Sequence, residues 1–133
     1  MERSFKRSVL SLPPVFAFLG EFFAAEAIDR RRNQTIDLAV EELFTNMVKY
    51  NTGTTRDISI SLNKGGETVE VTLTDFDVEP FDITKIRDIQ VDRPLEERRP
   101  GGLGIHLVKK MVDSITYSYD NRTSRTTFTK TLE

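Results

Sequence analysis

The stretch QTIDLAVEELFTNMVKY, Gln34 to Tyr50, sets apolar residues at Ile36, Ala39, Val40, Leu43, Met47 and Tyr50. That 3.6-residue period predicts an amphipathic helix with one face turned to a core. Asn33 stands where a capping side chain is expected, and Asn51-Thr52-Gly53 supplies a stop signal. Glu42 and Asn46 are four apart, so they share a face one turn from each other. A glutamate there can accept a proton from an attacking hydroxyl. An asparagine carboxamide oxygen is a hard ligand suited to magnesium and can hold nucleotide phosphates. A lone Glu-x-x-x-Asn is more often a solvated helix face. Lys49, one turn further on, adds a cation able to face the same phosphates.

Outward from this helix, Phe5 to Leu12 alternates as a strand, and Pro13-Pro14 ends it. Val15 to Arg30 reads as a helix, with Phe16, Leu19, Phe22, Phe23 and Ile28 on its apolar face and Arg30-Arg31-Arg32 near its C-terminal end. Phenylalanine on more than one face leaves room for a partner stripe beside the core. Asp57 to Leu62 and Val69 to Leu73 alternate as two strands joined by an Asn63-Lys64-Gly65-Gly66 turn. A carboxylate-rich loop, Asp75 to Asp82, precedes a short helix predicted over Ile83–Ile89. Val91 to Pro100 is irregular and charged. Leu103 to Asp113 repeats Ile105, Val108, Met111 and Val112 as a helix face, and Ile115–Tyr119 and Thr126–Leu132 read as a strand pair around Asn121. This order predicts an α+β fold: a two-layer sandwich with a mixed, mostly antiparallel sheet and helices on one face.

The 133 residues suit one domain spanning 1–133. Nineteen basic and 21 acidic side chains leave a formal charge of −2, which gives no argument for nucleic acid or an anionic membrane as partner. With no cysteine and one histidine, disulfides, thiolate chemistry and Cys/His zinc sites are excluded. The longest apolar run, Val15 to Ile28, is broken by Glu21 and Glu26 and is too short to span a bilayer. Arg3, Lys6 and Arg7 ahead of apolar residues faintly resemble a leader, but Pro13-Pro14 and the acidic residues that follow argue against one, so a cytoplasmic protein is expected.

Two further segments carry candidate chemistry. Arg98-Arg99-Pro100-Gly101-Gly102-Leu103-Gly104 places three glycines just ahead of a helix. Glycines let backbone approach a ligand closely, and a helix N-terminus offers unpaired N–H groups to phosphate. A tightly packed helix entry needs only one glycine. No Gly-Lys-Ser/Thr follows, so the loop is not a P-loop, and it does not follow a strand as a Rossmann fingerprint does. In Asp75-Phe76-Asp77-Val78-Glu79-Pro80-Phe81-Asp82, a carboxylate at a strand end can accept a hydrogen bond from an exocyclic amine such as that of adenine. The same carboxylates lack the glycine and terminal glutamate of a calcium-binding EF-hand. His106 reads more simply as a packing or surface residue than as a phosphoryl carrier or base.

Together the three segments, in this order, resemble the GHKL (Bergerat-fold) ATPases. Glu41-Glu42-Leu43-Phe44-Thr45-Asn46-Met47-Val48-Lys49-Tyr50 and the small size resemble the RsbW-like anti-sigma factor serine/threonine kinases. The resemblance implies ATP and Mg2+ as cofactors, Glu42 as general base and Asn46 as the magnesium ligand. It implies Asp75 as the adenine reader, Thr126 as its support, residues 83–100 as an ATP lid, and Gly101, Gly102, Leu103 and Gly104 as phosphate binders, with Lys49 and Arg99 adding charge. It further implies a STAS-domain antagonist as substrate, a sigma factor as second partner, and a homodimer. Asp77 stands where the family has glycine, which puts a negative charge near the base and predicts reduced ATP affinity. A partner-binding module with a weak ATP site is the alternative. An ATP hydrolase or detached histidine-kinase catalytic domain is a weaker one, because no helix with a phosphoacceptor histidine precedes the Glu42 segment.

Overall fold

The computed structural model describes residues 1–82 and 102–133. The predicted helix Ile83–Ile89, the lid over 83–100, Arg99 and Gly101 lie outside the described residues. Within them the chain runs β1 (Glu2–Phe5), α1 (Leu12–Ala25), α2 (Gln34–Tyr50), β2 (Ile58–Gly65), β3 (Thr68–Phe76), α3 (Gly102–Met111), β4 (Ser114–Asp120) and β5 (Thr123–Thr131). The strands form one sheet in the order β1-β2-β3-β5-β4, and each ladder is antiparallel.

Period-2 alternation turns Ile58, Ile60 and Leu62 of β2, Val69, Val71 and Leu73 of β3, and Phe128 of β5 toward the helices, where all are fully buried. Opposite them lie Val15, Phe18, Leu19, Phe22 and Phe23 of α1, and Ile36, Ala39, Val40, Leu43, Phe44 and Met47 of α2. Ile105 and Val108 of α3, with Val112, complete the layer. The architecture is the α+β two-layer sandwich, with helices on one face. No described helix is long and apolar enough to cross a membrane.

Helix α2 has the span that its periodicity predicts, but its neighbours differ from expectation. Strand β1 ends at Phe5, not Leu12. The Ser8 hydroxyl accepts from Leu10 N at 3.1 Å and caps a 3-10 turn, Val9–Ser11, while Ser11 Oγ donates to Lys6 O at 2.8 Å. Such local side-chain bonds compete with a strand ladder. Helix α1 begins at Leu12 with its prolines in the first turn, where their missing N–H is harmless. It stops at Ala25, not Arg30, because Ala27 takes a left-handed φ of 55° and Asp29 caps a separate turn over Arg30–Arg32. Arg30 then folds back on α1, donating to Phe16 O at 3.1 Å and to Asp37 at 2.6 Å. A Cβ on Gly20 would lie 2.9 Å from its guanidinium, so glycine permits the approach.

Asn33 occupies the N-cap position of α2 without making a side-chain cap. Its amide instead donates to Asp29 O at 2.8 Å and accepts from Glu133 N at 2.9 Å, tying α2 to the last residue. The β2–β3 turn is Gly66-Glu67, with β2 continuing to Gly65. Asn121 and Arg122, at φ 51° and 57°, make the two-residue turn between β4 and β5, as a type I′ hairpin requires.

Candidate functional site

The polar face of α2 meets the first turn of α3. Asn46 is 2% exposed, and its Nδ2 donates to Glu42 O at 2.6 Å. Its Oδ1 is buried without a donor among the described residues. An unpaired buried acceptor costs about 1–3 kcal/mol, and such groups in native proteins call for a partner. An oxygen with free lone pairs fits a magnesium ion that takes its remaining ligands from phosphate and water. Among the described residues no group of three His, Cys, Asp or Glu could hold a metal alone.

Glu42 lies half-buried against Gly104 of α3, where a Cβ would stand 2.0 Å from Glu42 Oε2 and 2.4 Å from Cδ. Glycine at 104 is therefore what lets α3 approach the carboxylate. Burial pushes the Glu42 carboxyl above its ordinary pKa; Glu41 adds to the effect and Lys49, two turns away and exposed, offsets part of it. The folded state holds this proton more tightly than the unfolded chain does. The group's stabilisation is thus full below the ordinary carboxylate pKa and is lost as pH rises through the raised one. Glu42→Gln is therefore expected to raise the thermal midpoint at neutral pH, with the gain vanishing in acid. A lower midpoint at neutral pH would mean that the carboxylate is held by an attraction that outweighs its burial.

Asp75 ends the inward face of β3 and is fully buried. Its Oδ1 pairs with Arg7 Nη2, and its Oδ2 accepts from Asn51 Nδ2 at 2.5 Å and from Arg7 Nη1 at 3.5 Å. Arg7 also donates to the carbonyls of Met47, Asn51 and Arg56 at 3.1, 3.3 and 3.2 Å. Thr126, 2% exposed, sits on β5 opposite Leu73, and Ser124 is the residue directly opposite Asp75. Asn46, Met47, Asn51, Phe81, Ser124 and Thr126 line a slot of about 10 Å³. That volume suits one water, so a purine ring enters only by displacing lining side chains. Phe81, stacked on Tyr50 at 5.3 Å, is carried on a loop, and Asn51 caps the end of α2.

Asp77 adopts φ 58°, the backbone a glycine takes freely and aspartate tolerates. Its carboxylate pairs with Arg122 Nε at 2.8 Å, and Arg122 also reaches Glu79 at 3.0 Å. The loop is pinned to β4 by Tyr117 Oη, which accepts from Phe81 N at 3.0 Å, and by Tyr119 Oη, which donates to Val78 O at 2.7 Å. Asp77→Ala is expected to cost about 1 kcal/mol, since alanine takes left-handed backbone poorly, whereas Asp77→Gly should be nearly neutral. Urea denaturation of both variants checks this, and equal losses would locate the effect in the Arg122 pair.

The structure thus brings Glu42, Asn46 and Gly104 together and sets Asp75 and Thr126 at the neighbouring strand ends. Gly102 and Leu103 belong to the same first turn of α3 as Gly104. Arg7, Asn51, Ser124, Tyr50 and Phe81 were not among the candidates read from the sequence. Only Ser124 had a usable signal there, because it precedes Thr126 by two on the same strand face. A larger groove of about 700 Å³, between Phe16, Arg30, Leu38, Glu41 and Met111, contains none of the candidate nucleotide residues.

The family model of the histidine kinase-like ATPase domain matches residues 5–130. No curated protein matches the chain. The Acinetobacter baumannii histidine kinase AdeS is similar in structure over 100% of this chain and 68% of its own, with TM-score 0.54 and 15% identity, a likeness of fold alone. The histidine kinase domain of the Erythrobacter litoralis EL346 blue-light activated histidine kinase is similar over 74% of this chain, with TM-score 0.48 and 18% identity, and the chain spans 43% of that protein's length. With nearly its whole length matched by the family model, the chain belongs to the histidine kinase-like ATPase domain family of the GHKL superfamily.

Proposed function

We propose that the chain is an ATP- and magnesium-dependent protein serine/threonine kinase of the anti-sigma type. Its substrate is a hydroxyl on a STAS-domain antagonist, and its second partner is a sigma factor that it sequesters. The observation that carries the reading is Glu42: a half-buried carboxylate of raised pKa, held against Gly104 one turn from the unpaired oxygen of Asn46. A base poised this way takes the proton of the attacking hydroxyl as its oxygen bonds the γ-phosphorus and the bond to the ADP oxygen breaks. Asn46 Oδ1 offers an oxygen to the cation, the first turn of α3 presents N–H groups to phosphate, and Lys49 adds charge beside them. Magnesium, when bound, neutralises charge on the phosphate oxygens.

Incubation with γ-labelled ATP and a cognate STAS-domain protein tests this reading. Label should pass to the STAS protein and fall about 100-fold with Glu42→Ala; equal labelling removes Glu42 from the chemistry. A second reading, a partner-binding module with a weak ATP site, is favoured by the engagement of both Asp75 oxygens by Arg7 and Asn51. Thermal denaturation with magnesium and ATP separates the two, because a ligand specific to the native state must raise its stability. An unchanged midpoint favours the module.

A further inference from the structure

We propose that residues 79–81 form a gate across the slot beside Asn46, shut in this structure, which a nucleotide must find open in order to bind. This rests on the nucleotide-site reading above and adds a step that controls entry to that site.

The walls of the slot are held in different ways. Asn46 and Met47 belong to α2, Ser124 and Thr126 belong to β5, and Asn51 is tied by its side chain to Asp75 at 2.5 Å. Phe81 lies beyond the end of β3, and its ring rests on Tyr50 of α2 with the centroids 5.3 Å apart and the planes 18° from parallel. The loop that carries it divides at Val78. That residue is 3% exposed, its N–H donates to Arg122 O at 2.9 Å, and its carbonyl accepts from Tyr119 Oη at 2.7 Å. Val78 is therefore an anchor.

Beyond the anchor, Glu79 and Pro80 are exposed. Arg122 Nη1 donates to Glu79 at 3.0 Å, Phe81 N donates to Tyr117 Oη at 3.0 Å, and the ring of Phe81 completes the closure on Tyr50. The ion pair stands in water, so salt screens it. These contacts break together when the tip turns away, while Val78 and the sheet stay in place. A slot of about 10 Å³ admits no purine ring until then. Only the open fraction binds, and the apparent affinity is reduced by that fraction. Weakening the closed contacts thus strengthens binding, the opposite of what the loss of a ligand contact does.

Stopped-flow binding of ribose-labelled mant-ATP with magnesium to the whole chain tests the gate. Tyr117 does not line the slot, and Tyr117→Phe deletes the hydroxyl that holds Phe81 N. It should raise the association rate and the affinity about fivefold, the effect of one hydrogen bond, with dissociation unchanged. Arg122→Gln, at an exposed position where the fold survives, supplies a second reading. On charge alone, losing a cation slows the approach of an anion; an unclasped gate speeds it. Association should be faster than in the wild type at low salt, and the difference should fade at about 1 M salt, where the pair is screened in both proteins. Association no faster than the wild type in either variant, or an Arg122→Gln effect that salt leaves unchanged, would overturn the gate. Absence of any mant-ATP binding by the wild type would instead overturn the nucleotide-site reading beneath it.

Discussion

Arg7→Met is expected to lower the folding free energy by about 3–5 kcal/mol, the range for removing one partner of a buried ion pair. The Arg7 side chain is 8% exposed and that of Asp75 0%, so little water is available to replace the lost cation. The same substitution removes the donor to the Asn51 and Arg56 carbonyls and one of two donors to the Met47 carbonyl, which keeps the Asn51 N–H at 3.1 Å. A domain of this size is stable by about 5–15 kcal/mol in total, so the variant sits close to its unfolding threshold. Arg7→Met combined with Asp75→Leu should recover much of the loss, because an apolar pair of similar volume is often as stable as the ion pair it replaces. Urea denaturation of the two singles and the double reads the coupling. A loss under about 1 kcal/mol for Arg7→Met, the range of an exposed pair, would mean that the two side chains do not meet in solution.

Gly104→Ala is expected to separate activity from stability. The added Cβ would stand 2.0 Å from Glu42 Oε2. The obstructed atoms are the far end of a flexible side chain, so the carboxylate swings aside while the backbone stays. Alanine is also favoured over glycine within a helix by about 1 kcal/mol. The thermal midpoint should therefore hold or rise. Phosphoryl transfer should fall about 100-fold, the lower end of what a displaced general base costs. Retained transfer would show that Glu42 works from a different position than the one beside α3.

Helix α2 was legible because a 17-residue amphipathic period outweighs local noise, and its Glu42–Asn46 spacing needs only helix geometry to place both on one face. The β2–β3 hairpin was legible for the matching reason, alternation across a glycine turn. The end of α1 was not: Ala27 carries the left-handed turn, and alanine gives no signal for one. Asn33 looked like a cap because caps are local, yet its side chain bonds the Asp29 carbonyl and Glu133, the latter 100 residues away. Distance hid the Arg7–Asp75 pair as well, since its members lie 68 residues apart and Arg7 in isolation reads only as a basic residue near the start of the chain. Asn51 read as a helix stop, which it is; its bond to Asp75, 24 residues on, is set by tertiary packing. Asp75 was identifiable as a strand-end carboxylate, but what occupies its oxygens is set by tertiary packing.

Calorimetric titration with magnesium ATP, on the wild type and on Asn46→Ala, probes the nucleotide site most directly. One saturable site is expected in the wild type. Its affinity should drop by about tenfold or more in the variant, with the far-ultraviolet circular dichroism unchanged. No saturable binding by the wild type, or equal affinity in the two proteins, would contradict a nucleotide site built on α2 and the first turn of α3.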